Sequence, residues 1–575
     1  MNIEKINGWF ALRGEWIVKR RWVVIIGFIA LFAAGFYGLR FMKINDSWES
    51  YFLEEDPVLL KTEEFKAVFG NDNYAAVMTD CDNTFTKENL ELIRELSNEM
   101  LDSMSYADKM TSITDIEFMI GNEEGMSIEQ IVPEEIPSDE AGLAEIRRKA
   151  FLKPYIANRL VSKDGRNTWV LLKLRPFPDD SVWYKGKGSV PPENLTGREL
   201  EHIIKKDKYK PLNPKGMGLP YITDQKMKWI GKEMPRIMGL AILLAIVVLI
   251  FATRSLRGVV VPVVTAIGSI VMSYGMLGYL RFSIDSGMML IPMLLAFAVA
   301  IAYNIHVHSF FRRRFRMYGN RRQAVVDTVG EMGWPVLFSA LTTFAALLSF
   351  LTIPATPMHF IGIATSTSVM LTFLIAITVM PAVLSFGKDR IGIVYDVSKL
   401  LAEHQINILK IQAAGGGWLD HRLEAFGNVV LNHEKVIWGI FIVITVFMIY
   451  QFTKIETAFD IESSMGRKVP YVKDILEVGE TELGSVYSYD VMINLPEDGA
   501  AKSRETLVAL DSLQRYVDKY PLTKRSSSIL NILKDLNQTL NNGDTAYYAI
   551  PANSDEIAQQ LLLSRMPEVA KQRRG

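Results

Sequence analysis

Seven apolar runs punctuate the chain: Trp22 to Leu39, Ile237 to Thr253, Gly258 to Leu280, Ser286 to Phe311, Met332 to Ile353, Met358 to Phe386 and Val436 to Phe452. Each is long enough, and poor enough in charge, to cross a hydrocarbon layer about 30 Å thick. Lipid offers the backbone no hydrogen-bond partner, so the runs are predicted to be helices. The first is too long, and too weakly furnished with a small-residue cleavage site, for a removable signal peptide; it is expected to stay as an anchor. Ahead of it, Ile6, Trp9, Phe10 and Trp16 stand among charged neighbours, the pattern of a helix lying along a membrane interface.

Between the first and second runs the periodicity changes. Alternating apolar positions predict strands at Ala75 to Thr79, Trp169 to Leu174 and Met217 to Ile222. Wider spacing predicts helices at Lys61 to Val68, Thr86 to Met104 and Asp139 to Leu152. The acidic, proline-punctuated stretch Glu123 to Glu140 and the Pro-, Gly- and Lys-rich stretch Pro176 to Asn194 read as loops.

Basic residues set the direction of crossing. Lys19, Arg20 and Arg21 precede the first run, Arg254 and Arg257 fill the turn after the second, and Arg312, Arg313, Arg314, Arg316, Arg321 and Arg322 follow the fourth. Lysine and arginine near span ends favour the cytoplasm. That rule puts the N-terminus inside, and Lys43 to Arg236 and everything from Thr453 onward outside. The expected location is a bacterial inner membrane, crossed several times.

Composition agrees and narrows the class. With 575 residues, 49% of them apolar, and a mean hydropathy of +0.14, the chain is too long for one domain and too apolar for an ordinary soluble enzyme. The formal net charge of −1 gives no overall field for nucleic acid. Cys81, the single cysteine, has no intrachain disulfide partner and reads as a small apolar filler. The sequence has no Gly-x4-Gly-Lys-Ser/Thr loop, no His-Glu-x-x-His, no paired-cysteine spacing and no Gly-x-Ser-x-Gly elbow. No cofactor, metal or enzymatic activity is therefore expected.

The chain repeats itself. Lys43-Ile44 follows the first run and Phe69-Gly70 leads into Tyr74-Ala75-Ala76-Val77-Met78; Lys454-Ile455 follows the seventh and Leu483-Gly484 leads into Tyr489-Asp490-Val491-Met492. In each copy a strand-like run precedes an amphipathic helix (Thr86 to Met104; Ser503 to Lys519) and a short Ser/Thr-rich piece. Repeats of this kind mark pseudo-equivalent transporter halves. A second half as long as the first would run well past Gly575, so either the chain is truncated or a partner, a second half or another copy, supplies the remaining spans.

Several motifs resemble the membrane half of the resistance-nodulation-division (RND) superfamily in its MMPL and sterol-sensing-domain (patched-like) branch. They are Gly218-Leu219-Pro220-Tyr221-Ile222 before the second span, Gly333-Trp334-Pro335-Val336-Leu337-Phe338 in the fifth, Val379-Met380-Pro381-Ala382-Val383-Leu384 ending the sixth, and Tyr51-Phe52-Leu53-Glu54-Glu55-Asp56-Pro57 opening the outer segment. The resemblance implies a polytopic α-helical membrane protein with α+β, ferredoxin-like porter domains inserted after the first span of each half. It also implies export of lipid or other hydrophobic molecules, commonly driven by protons. On this reading residues 1–21 are an interfacial helix, 22–41 the first span, 42–236 a porter domain, 237–386 spans two to six, 387–435 a cytoplasmic linker, 436–452 the seventh span and 453–575 the start of a second porter domain.

The fourth span departs from the family pattern. Where the family commonly carries Gly-x-Gly-x-Asp-Tyr-x-x-His, this chain has Ala298-Val299-Ala300-Ile301-Ala302-Tyr303-Asn304-Ile305-His306, with Ala302 at the coupling aspartate. If coupling occurs in this half, His306 is the titratable candidate, with Tyr303, Asn304 and His308 as hydrogen-bond partners. The alternative is that both histidines mark the end of the span near the interface. Spacing puts Tyr303 and His306 on one face and His308 elsewhere. Asp285 reads as a helix N-terminal carboxylate or a proton carrier. Thr365, Ser366, Thr367, Ser368 and Thr372 in the sixth span read as a pathway lining or as small residues for close helix packing.

In the linker, Asp389 to Ser398 with the following helix-like run to Ile408 resembles the opening of an ACT ligand-binding domain; the alternative is a plain amphipathic helix followed by Gly415-Gly416-Gly417. Two functions from different classes follow: an RND-type secondary exporter of lipid or hydrophobic cargo, or a lipid-sensing or scaffolding membrane protein without a proton-driven cycle. Membrane lipids are the expected surroundings in both.

Overall fold

The computed structural model describes residues 3–71, 73–122, 125–152, 159–178, 180–184, 189–390, 418–454, 462, 465–485, 488–497 and 499–563. Two compact units emerge, Met1–Asn45 with Lys232–Gly466, and Asp46–Gly231 with Arg467–Gly575. The ACT-like stretch falls almost wholly within 391–417, outside the described residues.

The membrane unit holds the apolar helices. Among the described residues, seven helices are long and apolar enough to cross a membrane, and each coincides with one of the predicted runs to within a residue or two where the run is the longer. They are Arg21–Gly38, Leu219–Thr253, Leu256–Tyr279, Leu290–Tyr318, Arg321–Leu348, Thr356–Leu384 and Glu434–Phe452, numbered here as spans one to seven. The sixth is the hub, packing against the first, third, fourth and fifth. Its small residues Ala364, Ala376 and Ala382 are fully buried. Large apolar side chains such as Leu240, Phe251 and Phe338 remain exposed on the outside of the bundle, as lipid-facing residues do. The seventh span buries none of its residues.

Glycine decides one helix crossing. A Cβ on Gly35 of span one would lie 2.7 Å from Met272 Cα of span three, and Cβ atoms on Gly275 and Gly278 would strike the carbonyls of Gly35 and Gly38. The two backbones therefore touch through a face that only glycine permits. The N-terminal helix Ile3–Lys19 lays its apolar face on span five. Gly333 makes the notch for the Phe10 ring, and Gly14 backs onto Val326 and Val329.

The second unit is built on a four-stranded sheet. Its strands, Tyr74–Asp80, Ala107–Thr111, Asn167–Leu174 and Lys215–Met217, lie in the order second, third, first, fourth, with every neighbouring pair antiparallel. Helices Lys87–Ser103 and Pro192–Ile204 follow the first and third strands. This is the β-α-β-β-α-β ferredoxin-like arrangement, with a hairpin (Glu117–Asn122 against Gly125–Gln130) and helix Glu140–Leu152 added between the second and third strands. Leu90, Ile93, Leu96 and Met100 repeat at helical spacing and are fully buried, as are Val77, Val170 and Leu172 of the sheet. Full burial of such a side chain stabilises by about 1.5–3 kcal/mol. Thr86 starts the first of these helices by accepting a hydrogen bond from Asn89 N at 3.2 Å.

Four sequence expectations are corrected. The strand predicted over Met217 to Ile222 stops at Met217, because Gly218 turns the chain with φ +94° and helix Leu219–Thr253 starts at once, with Pro220 in its first turn. The expected loop Glu123 to Glu140 contains the strand Gly125–Gln130, whose apolar Met126 and Ile128 alternate among polar residues. The expected loop Pro176 to Asn194 contains a short helix, Asp180–Trp183, and the first turn of Pro192–Ile204. In the second copy, the strand-like run Leu483 to Met492 forms no strand among its described residues, whereas the helix expected over Ser503 to Lys519 is present as Arg504–Val517, capped by Ser503.

Candidate transport site

Span four separates the residues that its sequence groups together. Tyr303 is buried in an apolar cluster with Phe10, Val307 and Phe373. His306, three residues on, is exposed on the outer stripe of the helix with Ala298 and Ala302. Residues three apart are offset by about 60°, and here the edge of the packed face runs between them. Their expected common face is therefore corrected. Asn304 is 1% exposed; its amide donates to Ala300 O at 2.7 Å and to Thr265 Oγ1 of span three at 3.1 Å, while its Oδ1 has no partner among the described residues. His308 is also buried, against Thr253 and Gly258, and far round the helix from His306. Tyr303, Asn304, His306 and His308 thus do not form one hydrogen-bonded group.

Asp285 caps the short helix Ser286–Met289, accepting from Gly287 N at 2.8 Å. Of the hydroxyl series in span six, Thr365, Ser366, Ser368 and Thr372 are buried and Thr367 is half-buried. Thr365 and Ser366 donate to their own helix, to Ile361 O at 2.6 Å and Ile363 O at 3.1 Å. Ser368 and Thr372 have hydroxyls without a partner among the described residues. Thr265, the partner of Asn304, was not singled out by the sequence; one hydroxyl in an apolar run carries no signal until its neighbour is known.

The second unit holds a partly buried charge cluster that sequence reasoning also missed. Glu193, in the first turn of Pro192–Ile204, accepts a hydrogen bond from Thr223 Oγ1 at 3.0 Å. Burial, reinforced by the carboxylates of Glu49 and Asp46, pushes its acid up to about 7, against the opposing influence of Thr223 and Lys226. Lys226 Nζ lies 3.8 Å from Asp46 Oδ1. Asp224, fully buried, is met by Arg198 Nε at 3.0 Å and Lys228 Nζ at 2.5 Å. The contributing residues are scattered from Asp46 to Lys228, so no local motif announces them.

The same unit has a groove of about 950 Å³ between helix Pro57–Phe69 and the extended residues 488–494. Val58, Phe65, Tyr489 and Met492 give it apolar walls, and Lys61 and Lys66 stand at its rim. Lys66 Nζ is held 2.7 Å from Glu49 Oε1. Lys61 is paired with Glu64 at 2.7 Å and Asp490 also lines the groove, so its polar edge is charged but balanced, a combination that suits an amphipathic molecule better than a purely polar one.

Comparison with known proteins places these features. The MMPL family profile matches residues 59–403, more than half of the chain. The chain belongs to the MMPL family. That agrees with the branch read from the span motifs, and it makes the chain a multi-pass membrane protein with an inserted α+β unit. Among the relatives of this MMPL protein, the trehalose monomycolate exporter MmpL3 of Mycobacterium tuberculosis is 28% identical over 283 residues, which cover 48% of this chain and 28% of MmpL3. Membrane protein YdfJ of Bacillus subtilis is 29% identical over 248 residues, covering 42% of this chain and 31% of YdfJ. The matched stretch thus spans about a third or less of these two relatives. A separate stretch of 25 residues, 4% of the chain, is 84% identical to UPF0237 protein NMB1653 of Neisseria meningitidis and covers 28% of that protein.

Proposed function

We propose that this MMPL protein is an ion-coupled exporter of lipid or other hydrophobic cargo, set in a bacterial inner membrane with its N-terminus in the cytoplasm. The observation that carries the reading is the insertion of a ferredoxin-like unit, with a groove of apolar walls and lysine edges, directly after the first of several membrane helices. The export activity named for MmpL3 supports it. The orientation rests on the arginine-rich span ends. Alternating access would come from movement of one transporter half against another, supplied by further chain or by a second copy.

Coupling is assigned to His306, the exposed titratable side chain on the stripe that also carries Ala302. The test is proton-dependent movement of labelled lipid by vesicles carrying the wild type or His306→Ala. Loss of transport in the variant supports the assignment, and equal transport by both removes His306 from the mechanism. A second reading, a lipid-responsive scaffold without a proton cycle, is favoured by the missing carboxylate at Ala302. No transport by the wild type, alone or with its partner half, would select it.

A further inference from the structure

The geometry points to a phosphate-binding pocket at the arginine-rich end of the helix bundle, one that takes either a lipid headgroup phosphate or free inorganic phosphate. The pocket is about 280 Å³ and opens between the turn joining spans two and three, the end of span four, the start of span five and the tail of span six. Arg254, Arg257, Arg316, Arg321 and Arg390 line it together with His308. Guanidinium groups bind phosphate through paired, planar N–H donors, which makes arginine the side chain suited to such a site.

These arginines are held in place. Arg257 donates to Phe386 O, and Arg321 donates to Leu384 O at 3.1 Å and Lys388 O at 3.2 Å. Arg321 and Arg390 both lie over the Phe315 ring, at 4.4 and 4.7 Å from its centre. Gly387, at φ +121°, brings the chain so close that a Cβ there would lie 3.0 Å from Arg321 Nε and 3.3 Å from Arg257 Nη1. Two like charges are thus held side by side against this turn, and an anion in the adjoining pocket would offset their repulsion.

Among the described residues, counter-charge is sparse. Asp389 Oδ1 is engaged by the backbone N–H of Arg321 at 2.8 Å, and Glu331 pairs with Arg314 outside the pocket. The floor supplies a second, independent sign of a ligand. His308 is 2% exposed, lines the pocket, and its Nδ1 has no partner among the described residues. A buried ring nitrogen left without a hydrogen bond is costly unless something fills the space before it. Ser255 caps helix Leu256–Tyr279 on the same wall, so the positive end of that helix faces the site as well. Nothing in the proposed export cycle uses this pocket.

The test uses the full chain in phosphate-free buffer, in two arms. In dodecyl maltoside micelles, which carry no phosphate, retention of radiolabelled inorganic phosphate is measured in one arm and association of spin-labelled phosphatidylglycerol in the other. The wild type should bind at least one probe saturably, and the arm that responds identifies the source of the phosphate. Arg316→Gln and Arg254→Gln, neither of which removes a donor to the Phe386–Lys388 turn, should weaken that binding about tenfold or more. Arg314→Gln should leave it unchanged. Absence of saturable binding of both probes to the wild type, or equal binding by wild type and both pocket variants, overturns the proposal.

Discussion

The segments that follow spans one and seven carry similar letters and fold differently. In the first, Tyr74–Asp80 is paired on both sides, by Asn167–Leu174 and by Lys215–Met217, and Val77 at its centre is fully buried. In the second, residues 488–494 form no strand and pair with none among the described residues, and Tyr489 is 87% exposed. Spacing alone does not make a strand; pairing does. What the second segment does build is helical, a core of Leu507, Leu530, Leu533 and Ile557. It is tied to the first sheet by Trp169 Nε1 donating to Leu483 O at 3.3 Å and by Lys215 meeting Glu477 at 2.6 Å.

The contrast is open to direct attack. Leu172→Ala, at a fully buried side chain of the third strand, should cost about 2–5 kcal/mol in thermal unfolding of the α+β unit. Tyr489→Ala should stay within about 0.5 kcal/mol; equal costs would mean that the second run is as well packed as the first. Next in size is the effect of Glu193. Its folded-state acid is raised from 4.5 to about 7, so the folded unit binds more protons than the unfolded chain between those values. Stability from this group is therefore greatest at low pH and falls as pH rises through 7, a slope that Glu193→Gln should flatten in melts across that window.

The smallest effect is expected at the tie between the segments. Lys215 holds the Glu477 carboxylate below its usual range, so the tie acts above the ordinary value of 4.5 and fades as pH falls. Glu477→Gln should cost only about 0.2–1 kcal/mol, because the pair is partly exposed. Faster hydrogen exchange in helix Pro470–Glu480, with the four-stranded sheet unchanged, would confirm that the tie is local.

How far the sequence could be read follows the same logic of partners. All seven spans were legible, because each satisfies its own backbone and announces itself by length and lack of charge. The strand at Asn167–Leu174 was legible from its alternation, whereas Gly125–Gln130 was not, since two apolar residues among polar ones say little without the facing Glu117–Asn122. At span four the sequence supplied the candidates but not their directions. Tyr303 turns inward and His306 outward only because helix Ile3–Lys19 and spans five and six occupy one side. The gathering of Arg257, Arg321 and Arg390 around one space was likewise invisible, because it joins three separate stretches of chain.

The glycine face between spans one and three carries a consequence for biogenesis. Span one leaves the ribosome early, yet the surface that receives Gly35 and Gly38 is not made until Gly275 and Gly278 have been synthesised, after the whole inserted α+β segment. Until then the anchor sits in the bilayer without its partner helix, with the glycines meant for backbone contact facing acyl chains. Its retention at that stage rests on the apolarity of Trp22 to Leu39 alone, so a polar substitution tolerated in the finished bundle could still abort insertion of the nascent chain.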